Sequence, residues 1–388
     1  MKKKNARTAT ILGLAGALVA GAVGLSGGES RAERAARSPV VTPQQKDSKI
    51  QIAILLDTSS SMNGLIDQAK SQLWKIVNQA GVAEKQGKRP RVEIALYEYG
   101  KSSLSAEGSW IRQILPFTTD LDRVSEELFA LQTNGGEEYC GMVIHRALSD
   151  LQWSGSQNDL KLIYIAGNEP FTQGPFDYHK AIAEAKQKGV VVNTIHCGGE
   201  EPSWKDAALI AGGDFLRIDQ NKVVAYVPSP QDDEIRKLNA DLNKTYVGYG
   251  RRGREGAARQ MEQDKNADSA MGGAGVARVA AKASAAYDNS TWDLVDGTKK
   301  GDVDVGKMKE EELPPEMQKM SVDERKAFVG KLSAERTRIQ TRIAELSKER
   351  EKFVSAELAK KGGPKDTLDA VMTESVRAQA VKAGFEMK

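Results

Sequence analysis

The sequence predicts an α/β protein with a doubly wound, mainly parallel sheet flanked by helices, followed by a mostly α-helical C-terminal extension. Between residues 49 and 228, continuous apolar runs alternate with amphipathic helical stretches, which is typical of a parallel sheet covered on both faces. Beyond residue 228, large apolar residues become sparse and Ala, Gly, Arg and Gln become frequent. A long charged helical pattern then closes the chain.

The predicted sheet consists of apolar segments bounded by polar or glycine-rich turns. The strand candidates are IQIAILL, RVEIALYEYG, DLKLIYIAG, GVVVNTIHCG and a short one in GDFLRID. The segments between them space their apolar residues as amphipathic helices do. These helix candidates are GLIDQAKSQLWKIVNQAG, DLDRVSEELFALQ, YCGMVIHRALSDLQ and DYHKAIAEAKQKG. We therefore expect one α/β domain over residues 49–228.

The N-terminus has the composition of an export signal. Basic residues in MKKKNAR precede the uncharged stretch TATILGLAGALVAGAVGL, so residues 1–30 are predicted to be a signal peptide or, alternatively, an uncleaved membrane anchor. Residues 31–48 lack periodicity and contain prolines, which predicts a flexible spacer. We expect an exported protein of the periplasm or cell envelope, with anchoring to the inner membrane as the alternative.

The overall charge is nearly balanced. The 388 residues include 56 basic and 53 acidic side chains, which gives a net charge of +3. This balance provides no argument for nucleic acid binding, so we expect no nucleic acid partner.

Oxygen-bearing side chains follow the first predicted strand, in the sequence KIQIAILLDTSSSM. Asp57 lies at the carboxyl end of this strand, where ligands bind in doubly wound sheets. Asp57, Ser59 and Ser61 alternate along the turn, so their side chains can converge on one point. A carboxylate and two hydroxyls suit Mg²⁺, with Mn²⁺ or Ca²⁺ as alternatives. The pattern therefore predicts a divalent-metal site.

The DTSSSM motif and three later segments resemble the von Willebrand factor type A domain. Those segments are LPFTTDLDRVSEELFALQTNGGEEYCG, LIYIAGNEP and IAGGDFLRID, and the resemblance covers residues 49–228. It implies a central sheet with helices on both faces, and it identifies Asp57, Ser59 and Ser61 as a metal-ion-dependent adhesion site. It also implies a protein partner whose acidic side chain often completes the coordination of the metal.

Two positions depart from the pattern of that family. A threonine usually follows the Gly-Gly pair, where this chain has Glu137, and an aspartate usually follows the fourth buried strand, where it has Gly167 and then Asn168. We expect Glu137 to be the fourth ligand and Asn168 to supply an amide oxygen or to hold a water molecule. A directly bound Glu137 would occupy a position that a partner's acid could otherwise take. A metal-free site, with Asp57 and the serines only capping a helix, is the alternative.

Two cysteines and a histidine are expected near the same edge of the sheet. Cys140 opens the helix after the Glu137 loop and Cys197 ends the next parallel strand, so a disulfide between them is one prediction for an exported protein. A reduced, buried pair is the alternative. His196 alternates with its neighbours along a strand, and we expect it to be a packed core residue.

Residues 229–320 are predicted to be a Gly/Ala-rich region of partly ordered helices and linkers. Residues 232–290 indicate helices interrupted by glycines. NSTWDLVDGTKKGDVDVGK indicates a short irregular or strand-like piece, and EEELPPEMQK indicates a linker.

Residues 321–388 contain the clearest helical signal of the chain. A capping box, SVDE, precedes the helix, and KKGGP follows it as a stop. Apolar residues recur every seven positions, which predicts pairing with another helix. The repeating residues are Leu332, Ile339, Leu346 and Phe353. We expect an antiparallel hairpin with DTLDAVMTESVRAQAVKAG, and coiled-coil-like self-association through residues 321–361 is the alternative.

Enzymatic motifs find no support in the sequence. GYGRRGREG has the spacing of a dinucleotide-binding loop, but no buried strand precedes it. Asp57 lacks the second acid two residues later that a phosphotransfer enzyme would use, and no histidine accompanies a nucleophile elbow. We therefore expect a non-enzymatic protein that binds another protein. The alternative is a metal-free structural scaffold of a cell-envelope assembly, organised by the C-terminal helices.

Overall fold

The computed structural model describes residues 48–222, 226–270, 273–361 and 367–387. The predicted signal peptide or anchor at residues 1–30 lies outside the described residues, as does the predicted spacer apart from Ser48. In the described ranges, no helix is both long enough and apolar enough to cross a membrane.

A six-stranded sheet forms the centre of the protein, with the strand order β4-β3-β1-β5-β6-β7. Every neighbouring pair is parallel except β3 and β4. The mainly parallel sheet and its five predicted strands are confirmed, and β4 is an additional edge strand whose mixed sequence IRQILPFT gave no clear signal. The strands are β1 (Lys49–Asp57), β3 (Arg91–Tyr99), β4 (Ile111–Thr118), β5 (Leu160–Gly167), β6 (Val191–His196) and β7 (Phe215–Arg217), while β2 (Ala83–Glu84) and β8 (Glu386–Met387) pair separately.

Helices cover both faces of the sheet, as predicted. This is why β1 is apolar at almost every position: Ile52 and Leu56 enter the core on one face, and Leu55 enters the core on the other. The first face is covered by α1 (Asn63–Gly81), α2 (Leu121–Ala130) and α11 (Leu368–Lys382). The second face is covered by α3 (Cys140–Asp150), α4 (Tyr178–Gln187) and α5 (Pro202–Ile210).

Residues 229–320 were predicted to be a partly ordered region of helices and linkers. The described residues of this range contain four packed helices, so the predicted helices are present and are more ordered than expected. The segment predicted to be irregular or strand-like contains a helix whose N-cap, Asp293, accepts a hydrogen bond from the amide of Asp296. The predicted linker contributes Leu313 and Met317 to a buried cluster. The helices are α6 (Asp232–Asn243), α7 (Gly250–Ser269), α8 (Ala274–Lys282) and α9 (Leu294–Lys300).

Arg278 of α8 connects this extension to the α/β domain. Its guanidinium group donates to Asp122 of α2 at 2.7 Å and to Asp264 of α7 at 2.6 Å, and it lies 4.6 Å from the ring centre of Trp74 in α1. Lys282 donates to the same Asp264 at 3.0 Å. Burial by itself would raise the pKa of Asp264, but the charges of Lys282 and Arg278 outweigh it and lower this pKa to about 2. Breaking one of these pairs would leave a buried charge uncompensated.

A single long helix, α10 (Val322–Lys361), follows these helices in the extension, as predicted. Its capping box is confirmed, because Ser321 Oγ accepts from the amide of Glu324 at 3.3 Å and the amide of Ser321 donates to the Glu324 carboxylate at 2.7 Å. Ile339 and Leu346 of the predicted stripe are buried against α6 and α8. Phe353, further along, is 36% exposed. Most of the stripe is therefore covered within the chain, while self-association through residues 321–361 stays a prediction.

The predicted hairpin between α10 and the final helix is wrong. α11 packs against α1 and inserts Leu368, Met372 and Val376 into the core of the α/β domain. Polar contacts fix it there: Tyr164 and Ser375 share a hydrogen bond of 2.9 Å in the sheet interior. The expected partner of α10 thus belongs to the α/β domain, because its apolar face fits the open side of the sheet beside α1.

Candidate metal site at the carboxyl edge of the sheet

The turn after β1 brings Asp57, Ser59 and Ser61 together, as the sequence predicted. The amide of Ser59 donates to Asp57 Oδ1 at 2.7 Å, and the hydroxyls of Ser59 and Ser61 lie 3.1 Å apart. Asp57 is fully buried, Ser59 is 2% exposed, and Ser61 faces solvent. The three side chains therefore lead from the interior of the sheet to its surface.

The loop between α2 and α3 lies directly on this turn. The amide of Asn134 donates to the carbonyl of Thr58 at 3.0 Å, and the amide of Ser60 donates to the carbonyl of Gly135 at 2.9 Å. These backbone bonds hold the following glutamates, Glu137 and Glu138, at the edge of the site.

Glu138 is buried beside Asp57, so it is better placed at the site than Glu137, the residue that the sequence predicted as the fourth ligand. Glu138 is 6% exposed, whereas Glu137 is exposed and its side chain interacts with Tyr139. The proximity of Glu138 to Asp57 is visible at Gly100, where an added Cβ would lie 2.8 Å from Asp57 Oδ1 and 2.9 Å from Glu138 Cγ. Neighbouring side chains in an extended loop point to opposite sides. A predicted ligand that is wrong by one position is therefore an outward-facing residue in place of an inward-facing one.

The loop after β5 supplies the remaining polar groups. The amide nitrogen of Asn168 donates to Ser61 Oγ at 3.3 Å, so Asn168 lies at the site as predicted. At Gly167, an added Cβ would lie 2.5 Å from Tyr99 Oη and 3.1 Å from Asp57 Oδ2. The absence of a side chain at this position therefore leaves space beside Asp57.

Two oxygens at this site are buried and have no hydrogen-bond partner among the described residues. They are Asp57 Oδ2 and Asn168 Oδ1. A buried acceptor without a partner is costly, and such groups usually mark a functional or ligand-binding position. Both atoms are of the type that coordinates Mg²⁺ or Ca²⁺.

The electrostatics of the site favour binding of a positive charge. Burial is the largest cause that raises the pKa of Asp57, to about 7, and the negative charges of Glu138 and Glu169 raise it further against the hydrogen bonds from Ser59. Burial and the charge of Glu169 also raise the pKa of Glu138. A bound cation would relieve the cost of ionising these carboxylates.

The donor set fits a hard divalent cation. Asp57 and Glu138 offer carboxylates, Ser59 and Ser61 offer hydroxyls, and Asn168 offers an amide oxygen. In the described part of the chain, no three His, Cys, Asp or Glu side chains are placed to hold a metal by themselves. The hydroxyl and amide oxygens would therefore be essential to such a site.

A buried glutamate, Glu98 on β3, supports the turn and was missed in the sequence. Thr58 Oγ1 donates to Glu98 Oε2 at 3.2 Å, and Arg112 of β4 lies 2.6 Å from the other oxygen of this carboxylate. The signal that was available is the charge of Glu98 between two tyrosines at the carboxyl end of β3. The sequence prediction named Glu137 and Asn168 from their positions in the family pattern, so the adjacent Glu138 and Glu169 were missed.

The cysteines are free and do not brace the site, so the predicted disulfide is wrong. Cys140 packs in the core on the α3 side of the sheet and Cys197 in the core on the α1 side. Burial raises the pKa of both thiols, which keeps them protonated and unreactive. His196 is buried, as expected, and its ring nitrogens lie 2.8 Å from the carbonyl of Gly199 and 3.1 Å from that of Asn168.

Comparison with known families agrees with this architecture. Residues 51–213 match the family model of the von Willebrand factor type A domain. The match agrees with the resemblance seen in the sequence, and this part of the chain is called the type A domain below; von Willebrand factor type A domains often mediate protein–protein interactions. The match contains the turn after β1 and both loops that face it. It ends before α11, although that helix completes the core.

Solved structures similar to the chain include two von Willebrand factor type A structures and one matrix protein. The SpRpn10 VWA domain is 20% identical, with a TM-score of 0.33, and the match covers 44% of this chain and 88% of that one. A von Willebrand factor type A protein from Catenulispora acidiphila is 16% identical, with a TM-score of 0.33 and coverage of 45% and 39%. Proximal thread matrix protein 1 from the mussel byssus is 13% identical, with a TM-score of 0.34 and coverage of 44% and 42%. This chain thus spans less than half the length of the latter two. A comparison with curated proteins found no match.

Proposed function

We propose that this protein is a non-enzymatic binding module that recognises another protein at the carboxyl edge of its type A domain, with a divalent cation held at Asp57. Mg²⁺ is the proposed ion, and Mn²⁺ and Ca²⁺ are alternatives. The export signal predicted in the sequence supports a location in the periplasm or cell envelope, either free or anchored to the inner membrane.

The observation that carries this proposal is the unpartnered Oδ2 atom of the fully buried Asp57. Asp57, Ser59, Ser61, Glu138 and Asn168 would hold the ion. The ion would balance the negative charges of Asp57 and Glu138 and hold together the loops that form the binding edge. The residues themselves orient the turn after β1 and keep it at the surface of the sheet.

The histidines of the chain contact carboxylates or backbone carbonyls. His145 pairs with Glu184 at 2.8 Å, and His179 lies 3.0 Å from Asp177. His196 contacts backbone carbonyls, as described above. None of these contacts places a histidine as a base beside a serine or cysteine nucleophile.

Titration of Mg²⁺ and Mn²⁺ into the chelator-treated full-length protein tests the proposal. We expect saturable heat of binding in calorimetry. We also expect stabilisation of about 2.7 kcal/mol when the ion is present at about one hundred times its Kd. Asp57→Asn should lose both effects. Asp67→Asn, which removes an exposed acid of α1, should retain them.

The outcome that contradicts the metal proposal is a folded wild-type protein with neither heat of binding nor thermal shift. The metal-free scaffold would then be favoured, and its assembly state should be the same in the wild type and in Asp57→Asn. A thermal shift that persists in Asp57→Asn would place the ion elsewhere in the chain and would also contradict the proposed site.

A further inference from the structure

The loops at the carboxyl edge of the type A domain form an acidic face. Besides the turn after β1 and the segment after β7, this edge contains the loops at residues 100–110, 131–139, 168–177 and 197–201. Together these four loops contain seven acidic residues and one basic residue, Lys101. The whole chain, in contrast, carries a net charge of +3, so the negative charge is concentrated where the candidate metal site lies.

The acids of this face are not neutralised by the described part of the chain. Glu107, Glu137 and Glu200 are exposed, and within the described ranges none of them forms an ion pair. The Lys101 side chain is 14% exposed and its amine lies 3.9 Å from a carboxylate oxygen of the buried Glu98, so its charge is directed inward. The face therefore presents uncompensated negative charge to solvent, which attracts positively charged partners.

Asp57 provides an independent sign of a cationic ligand. It is fully buried, and its Oδ2 atom has no partner among the described residues. A divalent ion at this point would be balanced by Asp57 and the buried Glu138 alone. Glu169 and the exposed acids of this face would still be negative, so a partner's carboxylate would approach a surface of like charge.

We propose that the protein partner presents lysine or arginine side chains to this acidic face, in place of the acidic side chain that the family resemblance implied. Glu138 already supplies, from within the chain, the second carboxylate that a partner would otherwise contribute. The inference rests on the proposed function for the location of the binding face, but it does not depend on the identity of the metal.

Binding of labelled oligolysine and oligoglutamate to the full-length protein tests this inference. Fluorescence anisotropy is measured at about 150 mM salt, where charges interact over about 8 Å, with Mg²⁺ or with chelator. The rim variant is Glu107→Gln/Glu137→Gln/Glu200→Gln. The matched control removes three exposed acids outside these loops, as Glu335→Gln/Glu351→Gln/Glu374→Gln.

We expect saturable binding of oligolysine, at least about tenfold weaker in the rim variant and unchanged in the control. Equal loss in both variants would show nonspecific attraction and would overturn the inference, as would the absence of oligolysine binding. Binding of oligoglutamate alone, in Mg²⁺, would overturn the basic partner while supporting the proposed metal site. Oligolysine binding could also be lost in the rim variant and be the same with Mg²⁺ and with chelator. This result would support the basic partner while the metal proposal fails.

Discussion

Among single residues, Asp57 is an acidic group in an environment that disfavours its charge. It combines complete burial, an unpartnered oxygen and two acidic neighbours, Glu138 and Glu169. Burial of a charge that lacks a partner destabilises the folded state, so a residue of this kind is retained for a role other than stability. Its environment is built from three loops, and Gly167 keeps the space beside it open.

Replacement of Asp57 should stabilise the ion-free protein in a pH-dependent manner. Its pKa is raised from 3.8 to about 7, so between these values the folded state binds more protons than the unfolded state. The stabilising contribution of the protonated carboxyl is thus present below about pH 4 and is lost as the pH rises through about 7. Asparagine does not ionise, so with chelator Asp57→Asn should be about 1–3 kcal/mol more stable than the wild type at pH 8 and less so at pH 5.

Urea unfolding at the two pH values measures this difference. Asp67→Asn serves as the control, because Asp67 is exposed and its replacement should change the free energy of unfolding by less than about 0.5 kcal/mol. A variant that is less stable than the wild type at pH 8 would show that Asp57 is satisfied by the chain itself, which contradicts the description of the site.

At the scale of elements, α11 is the helix whose role differs most from expectation. It comes from the far end of the chain, yet it covers the sheet beside α1. Ser375 bonds Tyr164 of β5 at 2.9 Å and donates to Asp214 at 2.7 Å. The amide of Leu368 at its start donates to Gln68 of α1 at 2.9 Å. The helix is therefore held by buried polar bonds as well as by apolar contacts, and those bonds specify its register.

A core residue of α11 should contribute as much to the free energy of unfolding as a core residue of the sheet. Met372 is 1% exposed and contacts the core between α1 and β1, so Met372→Ala should lower the free energy of unfolding by about 2–5 kcal/mol. Val381→Ala on the same helix is the control, because Val381 is 56% exposed and its truncation should cost less than about 0.5 kcal/mol. Chemical denaturation distinguishes the two, and equal effects would mean that α11 does not pack as described.

At the scale of the whole molecule, the extension and the type A domain share their buried interactions. Arg278 joins α8 to α2 and stacks on Trp74 of α1. A second buried arginine, Arg336 of α10, donates to Asp293 at 2.6 Å and to Asp296 at 2.7 Å. These charges are compensated only when the helices of the extension are in place, so the residues from 48 to 387 are expected to unfold together.

Truncation after residue 230 should therefore abolish cooperative folding. The fragment would retain the entire family match but lose α8 and α11, which exposes the apolar face of α1 and leaves Asp122 without its arginine. We expect weak near-UV circular dichroism and a broad thermal transition, compared with a sharp transition for the chain from residue 31 to 388. A fragment with a sharp transition at the same midpoint would show that the type A domain folds independently of the extension.

Elements with local signals were predictable from the amino-acid sequence. The apolar runs specify β1, β3, β5 and β6, because a strand covered on both faces must be apolar throughout. The alternation of Asp57, Ser59 and Ser61 after such a strand is likewise a local pattern, and the structure brings these residues together. The capping box of α10 was predictable because it involves residues only three positions apart.

Features that depend on contacts between distant segments could not be predicted from the sequence and are set by the folded chain. Whether Glu137 or Glu138 faces Asp57 is set by backbone bonds between two loops, which no local pattern reports. The two cysteines are separated because Cys140 packs in the core on the α3 side of the sheet and Cys197 packs in the core on the α1 side. α10 and α11 carry apolar stripes that would suit many surfaces, and their partners in distant segments were selected by the shape and polar groups of the assembled core.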